Sequence, residues 1–162
     1  MLLHKNPIVN TTYVPDGEKG TKETLRLMAR LVRRAINIPA FQTFAFNIPA
    51  NTLQDIDRFL ASHYTYVDEE IETLYAPEYN MMYLLEKGTL IGDCDDISMF
   101  YAAVFKALGY RVRFVAMKTR PNDPEFRHVV VEILNGNHWQ RCDATVEPNT
   151  IQIDYGVMVE YV

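Results

Sequence analysis

Residues 91–110 read IGDCDDISMFYAAVFKALGY, and this stretch predicts an α-helix with a cysteine in its first turn. Apolar residues recur at the steps of one helical face, at Ile97, Phe100, Tyr101, Val104 and Leu108. Gly92 and Asp93 interrupt the chain before this pattern begins, which places Cys94 at the helix N-terminus or within one residue of it. Gly109 follows the last apolar position, where a glycine commonly ends a helix.

The predicted position of Cys94 suits nucleophilic chemistry. The unpaired N–H groups and the positive dipole end of a helix stabilise a thiolate, the form of cysteine that attacks a carbonyl carbon. The same N–H groups can hold the oxyanion that forms in that attack. Negative charges raise the pKa of a thiol and so oppose the formation of the thiolate. Three acids close to Cys94 have this effect: Asp93, Asp95 and Asp96. A reactive Cys94 therefore requires a nearby cation, such as a histidine; otherwise it is a structural thiol.

Residues 126–146, FRHVVVEILNGNHWQRCDATV, predict a β-hairpin. Alternating and β-branched residues flank Asn135-Gly136, a dipeptide typical of two-residue turns with positive φ at both positions. That turn places His128 opposite Asp143. Directly opposed residues of an antiparallel pair have Cβ atoms about 4.5–5.5 Å apart on one face. The hairpin thus predicts an imidazole beside a carboxylate, the pair that serves as base and orienter in a catalytic triad.

Alternatives remain open for this hairpin. A turn one residue later places Thr145 opposite His128, and a strand histidine can also be a simple edge or packing residue. Cys142 precedes Asp143 and faces the other side of the sheet, so we interpret it as a buried structural thiol. The same alternation argues against a zinc site built from Cys94, His128 and Cys142, because its ligands would have to converge on one point.

The chain as a whole predicts a single domain of the α+β class. Residues 1–20 contain two prolines and two glycines and predict an irregular arm. Residues 21–63 predict a helical part, and residues 64–162 predict the catalytic core. The core opens with a tyrosine-rich stretch, 64–83. We expect the Pro-containing segment 120–126 to form one wall of a substrate cleft and the tyrosine-rich stretch to form another.

Within the helical part, a first helix is expected from an N-cap at Thr21 to about Asn37, because Pro39 cannot continue it. The segment FQTFAF, 41–46, is expected to be extended, and a second helix to begin at Asn51 or Thr52. The first helix carries four arginines on its polar face, which predicts a solvated surface or, alternatively, a docking surface for an acidic partner: Arg26, Arg30, Arg33 and Arg34.

The composition of the chain limits the kinds of binding partner and the cellular location that we expect. The chain has 162 residues with a net charge of -5, which gives no general attraction to nucleic acid or to acidic lipid. Two cysteines cannot support a disulfide-rich scaffold. The N-terminal residues contain no apolar run that would serve as a signal peptide or membrane span, so we expect a cytoplasmic protein.

The stretches around Cys94, His128 and Asp143 resemble the transglutaminase-like superfamily in its small bacterial and bacteriophage branch, over residues 53–148. The resemblance implies a papain-like core in which a cysteine-bearing helix packs on an antiparallel sheet that carries His and Asp. It also implies a Cys-His-Asp triad made of those three residues. A related branch binds Ca²⁺ through acids beside the cysteine, here Asp93 and Asp95, although no cofactor is required by the chemistry.

These observations favour a cysteine protease or amidohydrolase that cleaves a peptide or isopeptide bond through a thioester at Cys94. Acyl transfer to an amine, as in cross-linking members of the family, is one alternative. A non-catalytic assembly or binding module, such as a component of a phage particle, is another. The family's usual oxyanion donors, glutamine and tryptophan, are absent from the forty residues before the cysteine apart from Gln54. Tyr79, Asn80 and Tyr83 are the remaining candidates for contact with the substrate.

Overall fold

The computed structural model describes residues 15–68, 73–146 and 154–162, which form five helices and six strands. The helices are α1 (Gly17–Ala35), α2 (Pro39–Phe46), α3 (Leu53–Ser62), α4 (Pro77–Lys87) and α5 (Cys94–Ala107). The strands are β1 (Tyr64–Tyr66), β2 (Leu90–Gly92), β3 (Val112–Met117), β4 (His128–Asn135), β5 (His138–Cys142) and β6 (Val157–Tyr161). None of these helices is both long enough and apolar enough to cross a membrane.

An antiparallel sheet carries the cysteine-bearing helix. Its four strands lie in the order β5-β4-β3-β6, while β1 and β2 form a separate parallel pair. Helix α5 packs on β4 and β3, and α1 packs on α5. The predicted α+β class and the predicted packing of the cysteine helix on an antiparallel sheet are confirmed. One hydrophobic cluster joins the helices to the sheet and includes Met28, Phe41, Phe100, Phe114 and Val131.

The hairpin of β4 and β5 forms, but its turn lies one residue later than predicted. Asn135 pairs with His138, so Gly136 and Asn137 are the two turn residues. Gly136 has a φ of 61°, and among the described residues other than glycine Asn122 alone has a positive φ. Positive φ at the first turn position only is the pattern of a type II′ turn, which glycine favours there. The expected Asn-Gly turn with two positive φ angles is therefore wrong.

The shifted turn changes the register without separating the predicted pair of side chains. The last strand pair joins Val131 to Cys142, and the same register continued outward places Thr145, not Asp143, opposite His128. Because side chains alternate with a period of two, Asp143 and Thr145 project to the same side. Asp143 thus becomes a diagonal neighbour of His128, a position from which longer side chains still meet.

Helix α1 begins earlier than its expected start at Thr21. Its N-cap is Asp16, and the helix runs from Gly17, so the end of the expected irregular arm is helical. Gly20 is buried on the packed face of the helix. A glycine inside a helix lowers its stability by only about 1 kcal/mol relative to alanine, and burial of the apolar face outweighs this cost. The remainder of the expected arm, 1–14, lies outside the described residues. The four arginines of the predicted polar face are exposed.

The segment expected to be extended is helix α2. Pro39 occupies its first turn, where a missing N–H and a fixed φ are tolerated. Phe41 and Ala45 are both buried, and their four-residue spacing is helical. Phe41 packs edge-on against Phe100, with ring centroids 5.8 Å apart. The expected start of the next helix is confirmed, because Thr52 caps α3.

Candidate active site

Cys94 is the first residue of α5, as its sequence context predicts. Asp93 is the N-cap, and its carboxylate accepts a hydrogen bond from the N–H of Asp95 at 2.9 Å. The side-chain carboxyl group of Asp96, whose pKa burial raises to about 8, reaches back to the N–H of Asp93 at 3.3 Å, which completes a capping box. Such reciprocal capping satisfies N–H groups that a helix leaves unpaired. The result is a helix start whose geometry is fixed at the cysteine.

The surroundings of the Cys94 thiol favour its protonated form. Burial raises the pKa of Cys94 most, and the negative charges of Asp95 and Asp93 raise it further. The Sγ atom lies 3.6 Å from a carboxylate oxygen of Asp95. The backbone N–H of Val129 acts in the opposite direction, because its hydrogen bond to the sulfur lowers the pKa. The thiol therefore needs a cationic partner to ionise near neutral pH, as the sequence indicated.

His128 and Asp143 are in direct contact. The Nε2 atom of His128 lies 2.6 Å from Oδ2 of Asp143, and both side chains are largely buried, with exposed fractions of 15% and 6%. Burial opposes the ionisation of Asp143, but hydrogen bonds from His128 and Thr145 outweigh it and hold the pKa at about 2. Asp143 is thus a carboxylate near neutral pH. Since Nε2–H donates to it, Nδ1 is the ring nitrogen that can face a nucleophile.

Thr145 fixes the orientation of the Asp143 carboxylate. Its hydroxyl and its backbone N–H both donate to Oδ1 of Asp143, at 2.6 and 2.9 Å, which leaves Oδ2 for His128. The Thr145 hydroxyl also lies 3.5 Å from Nε2 of His128. Thr145 is the residue that the alternative register places opposite His128. It supports the contact of His128 with Asp143 and does not take the place of Asp143.

Helix α5 and strand β4 bring the cysteine and the histidine to one place. The N–H of Val129, the residue after His128, bonds to the Cys94 sulfur. One turn along the helix, the hydroxyl of Ser98 donates to the carbonyl of Val129 at 3.1 Å. Two polar contacts thus join the first turns of α5 to the first residues of β4. The three predicted residues lie at the same edge of the sheet, from which the 120–126 segment also leaves.

The predicted substrate contacts on α4 divide into two groups. The rings of Tyr75, Tyr79 and Tyr83 form a row, which we call the tyrosine row, with centroids 5.3 and 6.3 Å apart. The backbone N–H of Tyr75 donates to Asp96 at 2.6 Å, so this row starts beside the first turn of α5, which also carries Cys94. Asn80 is fully buried instead, and its Oδ1 accepts from Ile91 N at 3.1 Å. Asn80 therefore supports β2, which corrects its assignment as a substrate contact.

Sequence reasoning missed Tyr64, which reaches the site across the parallel β1–β2 pair. Its hydroxyl donates to the carbonyl of Gly92 at 2.9 Å and lies 3.4 Å from that of Asp93. Burial raises the pKa of Tyr64 most, and the charge of Asp93 adds to that effect. No local sequence pattern predicts this contact, because it depends on the pairing of two three-residue strands that are far apart in the sequence.

The acids beside Cys94 do not fit a calcium site by themselves. Ligand atoms of Asp93, Cys94 and Asp95 lie within 4.8 Å of one another. One of the three is a sulfur, whereas calcium takes about six to eight oxygens. Asp93 also uses its carboxylate to cap the helix. Within the described residues these acids are therefore better explained as helix-capping groups.

Comparison with known proteins identifies the family. Residues 42–144 match the family model described as the transglutaminase-like superfamily, which is more than half of the chain. A solved structure described as a candidate cysteine protease from Cytophaga hutchinsonii is 17% identical, with a TM-score of 0.43. The match covers 81% of this chain and 39% of that one. No curated protein matches the chain significantly. On the strength of the family match, the chain belongs to the transglutaminase-like superfamily.

Proposed function

We propose that this protein hydrolyses an amide bond, in a peptide or an isopeptide, through a thioester at Cys94. The observation that carries the proposal is the 2.6 Å contact of His128 with Asp143 beside a cysteine at a helix N-terminus. A nucleophile, a base and a group that orients the base are the parts that covalent acyl chemistry requires. Membership in the transglutaminase-like superfamily supports cysteine-based catalysis and leaves the reaction to be established.

The first half of the proposed reaction forms the thioester. Nδ1 of His128 takes the proton from the Cys94 sulfur, and the imidazolium that results is stabilised by Asp143. The thiolate attacks the carbonyl carbon of the substrate, whose oxygen becomes an oxyanion. Collapse of this adduct breaks the C–N bond, and His128 gives its proton to the departing amine. A carboxylate that bonds to the far nitrogen stabilises the charged imidazole throughout this half.

The backbone N–H of Cys94 is the natural oxyanion donor. The Asp93 side chain already accepts from the N–H groups of Asp95 and Asp96. Helical bonding takes the next one, since Ile97 N donates to Asp93 O at 3.2 Å. In the described part of the chain, the Cys94 N–H is thus the donor of the first turn that the helix and its cap do not use. This N–H belongs to the same residue as the sulfur, so it is close to the place where the attack creates the oxyanion.

The second half releases the acid. Water attacks the thioester carbonyl while Nδ1 of His128 accepts its proton, and collapse of the second adduct regenerates the thiol as the proton returns to sulfur. With a primary amine in place of water, the same steps give a new amide bond, which is the acyl-transfer alternative. Nothing in these steps requires a metal ion, because the thiolate and the imidazolium supply the nucleophile and the acid.

A two-arm assay tests the proposal. A mixture of peptides and side-chain-linked isopeptides is incubated with the protein, and mass spectrometry records new amine and carboxylate ends. A fluorescent primary amine is added in the second arm, where incorporation reports acyl transfer. Cys94→Ala should abolish turnover, and Cys142→Ala is the matched control that should retain it. Failure of the wild type in both arms, or equal activity of Cys94→Ala, would contradict the proposal and favour a non-catalytic module.

A further inference from the structure

Gly92, the last residue of β2, and Asp93 form a short elbow that leads into the helix that carries Cys94. Gly92 adopts a φ of 126°, which L side chains rarely adopt. A Cβ atom placed on Gly92 would lie 2.2 Å from Oδ2 of Asp96, so the carboxyl group fills the space where a side chain would stand. The elbow consequently has no side-chain packing of its own at Gly92. Its position depends on the groups that touch its backbone.

Two groups hold the elbow from the side of β1: the backbone N–H of Val67, which donates to the Gly92 carbonyl at 3.0 Å, and the side chain of Tyr64. Its hydroxyl donates to the Gly92 carbonyl at 2.9 Å and lies 3.4 Å from the Asp93 carbonyl. These are the two carbonyl groups immediately before Cys94. Tyr64 itself is fixed in place because it pairs with Leu90 in the parallel ladder.

Asp96 holds the elbow from the side of the helix. Its carboxyl group is fully buried and accepts from the N–H of Asp93 at 3.3 Å. The other oxygen accepts from the N–H of Tyr75 at 2.6 Å. A single buried group therefore connects the elbow, the helix and the beginning of the tyrosine row.

We propose that Tyr64 and Asp96 form a two-sided clamp on the Gly92–Asp93 elbow and are positioning residues for Cys94. Tyr64 binds the carbonyl oxygen of the Gly92–Asp93 peptide and Asp96 binds the N–H of the same peptide, so the two contacts lie on opposite sides of one peptide unit. Attack by a thiolate is sensitive to placement, and an error of about 1 Å costs on the order of 10²-fold in rate. The clamp sets the distance between the sulfur and His128. This inference rests on the proposed nucleophilic role of Cys94.

Two variants and one control test the clamp. Tyr64→Phe removes the hydroxyl and keeps the ring, and Asp96→Asn exchanges one acceptor oxygen for a donor of similar size. Tyr101→Phe is the matched control, because its hydroxyl also donates to a backbone carbonyl, that of Asp57 at 3.1 Å, away from the elbow. For each protein, mass spectrometry gives the rate of Cys94 alkylation by iodoacetamide as a function of pH. Urea unfolding gives the stability.

The expected result is a change in reactivity that stability does not explain. Tyr64→Phe and Asp96→Asn should lower the alkylation rate below neutral pH by about tenfold and move the pH profile to higher pH, since the thiolate loses its imidazolium partner. Tyr101→Phe should leave the profile in place. A wild-type profile in folded Tyr64→Phe overturns the clamp, as does an equal shift in Tyr101→Phe. If Asp96→Asn does not fold, Tyr64→Phe alone decides.

The same data separate the two proposals. A wild-type Cys94 that reacts no faster than a free thiol at every pH overturns the proposed function, and the clamp with it. A reactive wild type with an unshifted Tyr64→Phe overturns the clamp alone.

Discussion

Replacing Asp143 with Asn tests the pair that orients the proposed base. The two side chains have nearly the same size, and the Asn oxygen can still accept the two bonds from Thr145. The amide cannot offset the charge of an imidazolium, and it can stabilise the wrong tautomer of His128. The corresponding change in a serine-protease triad lowers kcat by about 10⁴. We expect a smaller loss here, on the order of 10–10³, because a thiol is more acidic than a serine hydroxyl.

The structure also sets the expected cost in stability. The pKa of Asp143 falls from its ordinary 3.8 to about 2. A shift of this size corresponds to about 2 kcal/mol at most, part of which the retained Thr145 bonds preserve in the variant. Because the folded-state pKa is lowered, the wild type holds this stabilisation above about pH 4 and loses it as the pH falls toward 2. Asp143→Asn should therefore be less stable by about 1–2 kcal/mol at neutral pH and should lack this acid-dependent loss.

Turnover and urea unfolding of Asp143→Asn are measured beside Asp154→Asn as the matched control. Asp154 also accepts from a cation, Arg141 at 2.9 Å, in an ion pair that does not include His128. The control should lose little activity. A fully active Asp143→Asn that folds normally would refute the proposed role of Asp143, and an equally inactive Asp154→Asn would show that the loss is not specific to the proposed triad.

Four other predictions follow from individual residues. Brief iodoacetamide treatment of the folded protein should label Cys94 and spare Cys142, which is 2% exposed, and mass spectrometry of the peptides would contradict this if Cys142 reacted first. Gly92→Ala should destabilise the fold by roughly 2–4 kcal/mol in urea, because its Cβ meets Asp96 at 2.2 Å and φ is positive, and wild-type stability would contradict this. Tyr83→Ala should raise KM several-fold with little change in kcat, whereas an unchanged KM would remove the tyrosine row from the substrate cleft. Dialysis against a calcium chelator should leave activity and melting temperature unchanged, and a loss restored by added calcium would show that a calcium site exists.

The sequence predicted those parts of the site that depend on local patterns. Cys94 at the start of α5 follows from apolar periodicity and the preceding Gly-Asp, and the structure confirms it. The contact of His128 with Asp143 is also confirmed, although the predicted register is wrong. The contact is retained because moving the turn by one residue shifts the residue opposite His128 by two, from Asp143 to Thr145. Residues two apart in a strand project to the same face. A shift of partner by one residue would have reversed the face.

The rest of the site depends on contacts between distant segments, which periodicity does not encode. Tyr64 reaches Gly92 through a pair of three-residue strands, and Asp96 binds the N–H of Tyr75 across 21 residues. The misassignment of Asn80 has the same origin. Packing turns Asn80 inward, where its side-chain oxygen accepts from the N–H of Ile91, and no local pattern shows this. Helix α2 was missed because tertiary packing of Phe41 on Phe100 decides the conformation of a short apolar segment.

The most direct test of the central claim is the rate of Cys94 alkylation as a function of pH in the wild type and in His128→Gln. Burial and the adjacent aspartates raise the pKa of the isolated thiol, so only a charged imidazole beside it can maintain a reactive thiolate below neutral pH. The account predicts rapid alkylation of the wild type at mildly acidic pH, and a fall on the order of 10²-fold in His128→Gln at the same pH. Profiles that coincide in the two proteins would contradict the assignment of His128 as the partner of Cys94, and with it the proposed catalytic function.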